Sequence, residues 1–303
     1  MRSIKFTIVL AVALNLVQCL NRNEANYTIA YPEPRPDSIS LQFLPGIVCT
    51  DSLDFNSAFS PDGKSFYFSH SSKGKFNIYV TSFDGKNWTK PSLTPFSEVE
   101  YSAADPFIML DGTIYFISDR PRDESDTIRD FDIWFVSPQQ DGKWSAPENL
   151  QAVNSDSTEY YVSLASNKNI YFASNREGGY GDHDIYLSKF VNGKYETPEN
   201  LGASINSPEM DHDPFISSDE EFLIFTSVSR KDSFGEADLY YSERKGNQGW
   251  SLAKNLGKQI NTPTYEYCSY ISHDSKYFFY SSNYDVKWID VRYLPFKIKA
   301  NSK

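Results

Sequence analysis

Positive charge is in short supply in this chain: 29 Lys and Arg stand against 40 Asp and Glu over 303 residues, a net charge of −11. Affinity for a phosphate backbone comes mainly from counterions released around Lys and Arg clusters, so this balance excludes an ordinary nucleic-acid binder. Cysteine is scarce too, at three residues, which excludes a disulfide-stapled miniprotein. Histidine is limited to His70, His183, His212 and His273. No His or Cys pair has zinc-ligand spacing, and no Gly-x-Ser-x-Gly elbow marks a serine nucleophile. Helical periodicity is missing after the first twenty residues. The longest early apolar run, Phe6 to Leu14, falls short of the roughly 20 residues that a membrane-spanning helix needs. Aromatic residues, in contrast, are plentiful: 16% of the chain, with 21 Tyr, 22 Phe and 5 Trp, is ample for a dry core.

The first residues read as an export signal over 1–19: Arg2 and Lys5 precede the apolar run, and Leu16-Val17-Gln18-Cys19 resembles a bacterial lipobox with Gln18 as its departure. Two routes are open, lipidation of Cys19 or ordinary cleavage after it. Both predict an exported protein, in the periplasm or at the outer membrane or cell surface, and only the first attaches it to a membrane, through a lipid at Cys19. Residues 20–41, with prolines at 32, 34 and 36, read as an extended linker. Cys49 and Cys268 are read as two buried free thiols in preference to a disulfide.

Residues 42–296 are repetitive, and 297–303 form a short tail. Five units each hold a polar lead-in, a turn and a dense aromatic strand ending in Ser, as in 57–69, 105–118, 161–174, 213–227 and 269–282. Phe68, Phe116, Phe172, Phe225 and Tyr280 mark a period of about fifty, which in an all-β chain with period-two alternation points to propeller blades. A third strand opens at Asn77, Asp132, Asp184, Asp238 and, more loosely, Asp290. A fourth begins at Trp88, Trp144, Tyr195 and Trp250, with prolines that suit an outermost strand. The fifth unit lacks its own fourth strand. The segment Phe43–Val48 is therefore expected to supply it and close the ring, giving a single all-β propeller of five four-stranded blades, with six blades as the alternative if residues 27–50 hide further strands.

Phe59-Ser60-Pro61-Asp62-Gly63 with Phe66-Tyr67-Phe68-Ser69, and the run from Ser174 to Tyr186, resemble the TolB-type, WD-repeat-like β-propeller family of exported bacterial proteins. The resemblance covers about residues 43–294. It implies an envelope-associated propeller that binds partner proteins through one face. Only the first unit keeps the full Ser-Pro-Asp-Gly turn.

A residue that recurs in most units serves the repeat, so the Asp before the third strands is read as a turn cap. The segment Gly178 to Asp184 offers only Asp182, Asp184 and backbone carbonyls, too few oxygens for calcium. The default is therefore a tight turn with no cofactor or metal, calcium at Asp182 and Asp184 being the alternative. Acidic residues leading into the inner strands, Asp54, Asp105, Glu159, Asp211, Asp213 and Glu266, are expected near the channel mouth with His212 among them. If the protein is a glycoside hydrolase, the catalytic carboxylates come from Asp54, Asp105, Glu159, Asp213 and Glu266. The preferred reading is a non-catalytic module whose protein or glycan partner is met by Asp105, Tyr160, His212, Asp213, Tyr265 and Glu266. Surplus loop tyrosines Tyr101, Tyr180 and Tyr284 extend that set.

Overall fold

The computed structural model describes residues 28–298 except residue 99. The expected export signal and Cys19 lie outside the described residues. Period-two aromatic runs pair as five antiparallel sheets of four strands. Blade 1 holds Asp54–Phe59, Ser65–Ser72, Lys75–Ser82 and Ser92–Leu93 from the axis outward. Blade 2 holds Ala103–Ile108, Ile114–Ser118, Asp132–Val136 and Glu148–Asn149, and blade 3 holds Glu159–Leu164, Ile170–Ser174, Asp184–Ser188 and Glu199–Asn200. Blade 4 is Asp211–Ile216, Phe222–Val228, Ala237–Glu243 and Lys254–Asn255. Blade 5 is Glu266–Ile271, Tyr277–Ser282, Asp285–Asp290 and, from the other end of the chain, Leu41–Gln42. The protein is a five-bladed β-propeller.

Three boundaries differ from the sequence reading. The closing strand is Leu41–Gln42, paired Leu41↔Trp288, with the Phe43 amide still donating to the Val286 carbonyl. Leu44 then turns with φ 49°, in the place taken by Gly202 and Gly257 elsewhere, so Phe43–Val48 forms the turn after the strand. The outer strands also begin just beyond the elements opened by Trp88, Trp144, Tyr195 and Trp250: in blades 1 to 3 the fourth residue is a Pro with no amide to donate, and in blade 4 it is Ala253, whose amide donates to the Ser204 carbonyl instead. Trp88, Trp144 and Trp250 instead make single bridges to Phe83, Pro138 and Arg244. In blade 5 the third strand opens at Asp285, paired with Ser282, while Asp290 caps a short 3-10 turn by accepting from the Arg292 amide.

Residues 28–40, expected within an extended linker, lie against the propeller. Tyr31 stacks on Trp288 and meets Phe59 and Tyr277 edge-on, and the Trp88 indole donates to the Ala30 carbonyl. This apolar contact reinforces the seam between blades 1 and 5, where the ring closes. Cys49 and Cys268 are free and buried.

Candidate functional site

Every inner strand carries a bulge at the same place, and the residue at its centre is left-handed. These are Asn56, Asp105, Tyr161, Asp213 and Cys268, with φ between 50° and 63°. One comes from each blade, two positions after the lead-in residue. Their side chains are linked across the axis. Asn56 Nδ2 donates to Asp105 Oδ1 at 3.2 Å, and the Cys268 thiol donates to Asp213 Oδ2 at 3.3 Å with a longer approach to Asp105 Oδ1 at 3.7 Å. The Cys268 amide reaches Asp213 Oδ2 at 3.1 Å, and the Tyr161 hydroxyl closes on the Ser269 carbonyl at 3.0 Å.

Asp105 and Asp213 are each 1% exposed. Burial, followed by the charge of Asp213, pushes the Asp105 carboxyl up to about 8. Burial and the same two acids push the Cys268 thiol well above its ordinary value, so it serves as a hydrogen-bond donor and not as a thiolate.

Above the ring lies an aromatic collar. Phe55, Tyr160, His212 and Tyr267 hold the same place in four blades and Ala104 holds it in blade 2. Ring centroids run Phe76 to Phe55 at 5.4 Å, Phe55 to Tyr267 at 6.0 Å, Tyr267 to Tyr265 at 5.7 Å and Tyr265 to His212 at 5.9 Å. Tyr160 then meets both His212 and His183 at 6.2 Å. His212 Nε2 is 2.7 Å from the Tyr265 hydroxyl. Its Nδ1 lies 2.8 Å from Asp213 Oδ1, but at angles that do not make a hydrogen bond. Burial pushes the hydroxyl pKa of Tyr160 and Tyr265 upward.

The other acids expected at the mouth begin the inner strands on that side but are closed off from solvent. Asp54, Glu159, Asp211 and Glu266 are fully buried at the blade entries, where each accepts from the amide and hydroxyl of the residue four before it: Thr50, Ser155, Ser207 and Thr262. Arg176 pairs with Glu159 at 2.8 Å and Arg230 with Asp211 at 2.7 Å. The two guanidiniums also stack on Phe172 and Tyr186, and on Phe225 and Tyr240. His70 Nδ1 fills the corresponding place beside Asp54 at 2.6 Å. These acids clamp blades 1, 3, 4 and 5 to their lead-ins, while blade 2 has Ala103 in that place.

Asp184 accepts from the Tyr180 and Gly181 amides and from Asn200, and Asp238 accepts likewise from Phe234, Gly235 and Asn255. Both are turn caps, and the Asp184 oxygens that calcium would need are already engaged. Asp182 is exposed, with its carboxylate 3.6 Å from His183. Asn56 and Tyr161 escaped the sequence reading, and Cys268 was read only as a buried thiol, not as part of this ring. Counting two residues on from each blade's lead-in finds all three.

No protein-family model and no curated protein matches the sequence. Among solved structures the chain is similar to hydrazine synthase from Kuenenia stuttgartiensis, at 14% identity over 82% of this chain and 39% of that one, with a TM-score of 0.51. TolB from Acinetobacter baumannii is matched at 12% identity over 79% of this chain and 54% of that one, with a TM-score of 0.47. Xylan β-1,4-xylosidase from Bacillus Halodurans C-125 is matched at 14% identity over 82% and 53%, with a TM-score of 0.48. The chain spans about half the length of TolB and of the xylosidase. The likeness is one of fold.

Proposed function

We propose that this chain is an exported, envelope-associated propeller that binds a protein or glycan partner without turnover, through the collar and the loops around it. The observation that carries this reading is the burial of Asp105 and Asp213, each 1% exposed beneath the aromatic collar. A glycosidase must bring one carboxyl to the glycosidic oxygen and a second to the sugar or its water. Here Asp213 Oδ2 and Asp105 Oδ1 face the Cys268 thiol, and Asn56 also holds Asp105. Those bonds hold one oxygen of each carboxyl, and burial beneath the collar leaves a sugar no approach to the other. Export is supported by Arg2, Lys5 and the apolar run after them, with Cys19 as the lipidation site.

The rival reading is a glycoside hydrolase. It draws on the raised Asp105 carboxyl beside a second acid, which resembles the split between a general acid and its partner. Product analysis on envelope and plant glycans tests the two. The binding reading predicts no released sugar from the wild type. Release that disappears in folded Asp105→Asn and Asp213→Asn variants establishes the hydrolase instead.

A further inference from the structure

The two faces of the propeller differ in charge. The mouth face is built by the loops between second and third strands and by the lead-ins to the next blade, which pair with one another as in Phe131 to Glu159 and His183 to Asp211. Its segments are 43–53, 73–74, 94–102, 119–131, 150–158, 175–183, 201–210, 229–236, 256–265 and 283–284. They hold 14 Asp and Glu against 8 Lys and Arg, a net charge of −6. Three of those eight, Arg120, Arg176 and Arg230, are committed to stacking on ring pairs within their own blades. The opposite face, built by the inner hairpin turns and the connections to the outer strands, with residues 291–298, holds 9 acids against 12 bases, a net charge of +3.

The same acidic face exposes apolar groups in an ordered way. The loops of blades 2, 3, 4 and 5 each present one large hydrophobic side chain, Ile128, Tyr180, Phe234 and Tyr284, between 39% and 68% exposed. All three exposed aromatics of the described residues lie here. Two cations already sit over rings on this face: Lys258 Nζ is 5.5 Å from the Phe234 centroid and the Arg129 guanidinium 5.4 Å from that of Tyr101. Beneath the collar, Asp105 Oδ2 is buried without a hydrogen-bond partner and Asp213 Oδ1 has only its bent approach to His212. Each acid therefore keeps one buried oxygen beneath the face that is not committed to a hydrogen bond.

We propose that the mouth face docks a basic polypeptide segment of a partner protein, whose Lys and Arg side chains pair with the loop carboxylates while their stems and heads pack on Tyr180, Phe234 and Tyr284. The inference rests on the binding-module reading and names its partner class. A neutral glycan would use the rings alone and leave the charge asymmetry without a role. A basic segment uses both, and the field of the face steers it in.

The test is titration of the full exported chain, by fluorescence anisotropy, with a labelled lysine- and arginine-rich peptide. Two charge-matched variants are compared: Glu124→Lys with Glu177→Lys on the mouth face, and Glu148→Lys with Glu196→Lys away from it. All four positions are exposed, so both variants keep the fold. We expect the mouth variant to bind about ten-fold more weakly, the distant variant within about two-fold of wild type, and the wild-type affinity to fall as salt shortens the screening length from ~10 Å at 0.1 M. Tyr180→Ala with Tyr284→Ala is expected to weaken binding while leaving the salt slope unchanged. Equal losses from both charge variants would show attraction to net charge alone and overturn the proposal, as would no binding, or binding of a neutral glycan at the same face without peptide binding. In that last case the binding-module reading survives and only the partner class fails.

Discussion

The Cys268 thiol lies 3.3 Å from Asp213 Oδ2, and the Cys268 amide donates to the same oxygen at 3.1 Å. One residue thus supplies two donors to a buried carboxyl in the neighbouring blade. Cys268→Ala removes one of them and is expected to cost about 1–3 kcal/mol of stability. Cys268→Ser keeps a donor and should recover part of that loss. Urea unfolding of the three proteins measures the difference.

Asp105 gives the ring a pH dependence whose sign is fixed. Its folded carboxyl is raised to about 8, above the ordinary value near 3.9, so the folded state holds a proton that the unfolded chain has released. Its contribution to stability is present below about pH 4 and is lost as pH rises towards 8, with a slope of at most about 1.4 kcal/mol per pH unit. Asp105→Asn keeps an acceptor for Asn56 and removes the titration. The stability of the variant relative to wild type should therefore increase from pH 5 to pH 8, as read by denaturant midpoints. A difference independent of pH would show that Asp105 is ionised in the fold.

Gly181 is required by a close approach. A Cβ there would lie 1.6 Å from the Glu209 carbonyl oxygen, which is backbone and cannot swing aside. Gly181→Ala should cost more than about 2 kcal/mol. Gly178, with φ +88° and open space around it, should cost about 1 kcal/mol on the same change. Thermal midpoints of the two variants order them.

Glu159 is fully buried and shared among Ser155, Ser174 and Arg176. Arg176→Ala strips the cation from it and also uncovers Phe172 and Tyr186, with an expected cost of about 3 kcal/mol. Glu159→Gln with Arg176→Ala should lose less than the sum of the single changes, which a double-mutant cycle measures.

The period near fifty from Phe68 to Tyr280 was enough to read five blades and their aromatic cores, because each strand repeats one packing environment. The boundaries that shifted are those where backbone pairing, not side-chain pattern, decides. Leu41–Gln42 has no aromatic signature, and Asp285-Val286-Lys287 lacks the Asp-Ile-Tyr spelling of its equivalents, so side-chain pattern marks neither as a strand. Asp105 and Asp213 were visible as acids near the axis. Their separation from Asp54, Glu159, Asp211 and Glu266 was not, since a two-residue step across a bulge turns one carboxyl to the channel and leaves the other at the blade entry. The positions of the ring residues follow from the repeat, but the contacts that join them run between blades 49 to 163 residues apart, and the side-chain pattern of one strand does not show them.

The central claim, that the mouth face is the working surface, is tested most directly by photo-cross-linking in the producing cell. A photoreactive residue is placed at Tyr180 or Tyr284 on the mouth face, or at Leu110 or Val191, which are also exposed but on the opposite side. The account predicts adducts of one discrete partner from Tyr180 and Tyr284 and none from the other two. Adducts confined to Leu110 and Val191 would contradict it.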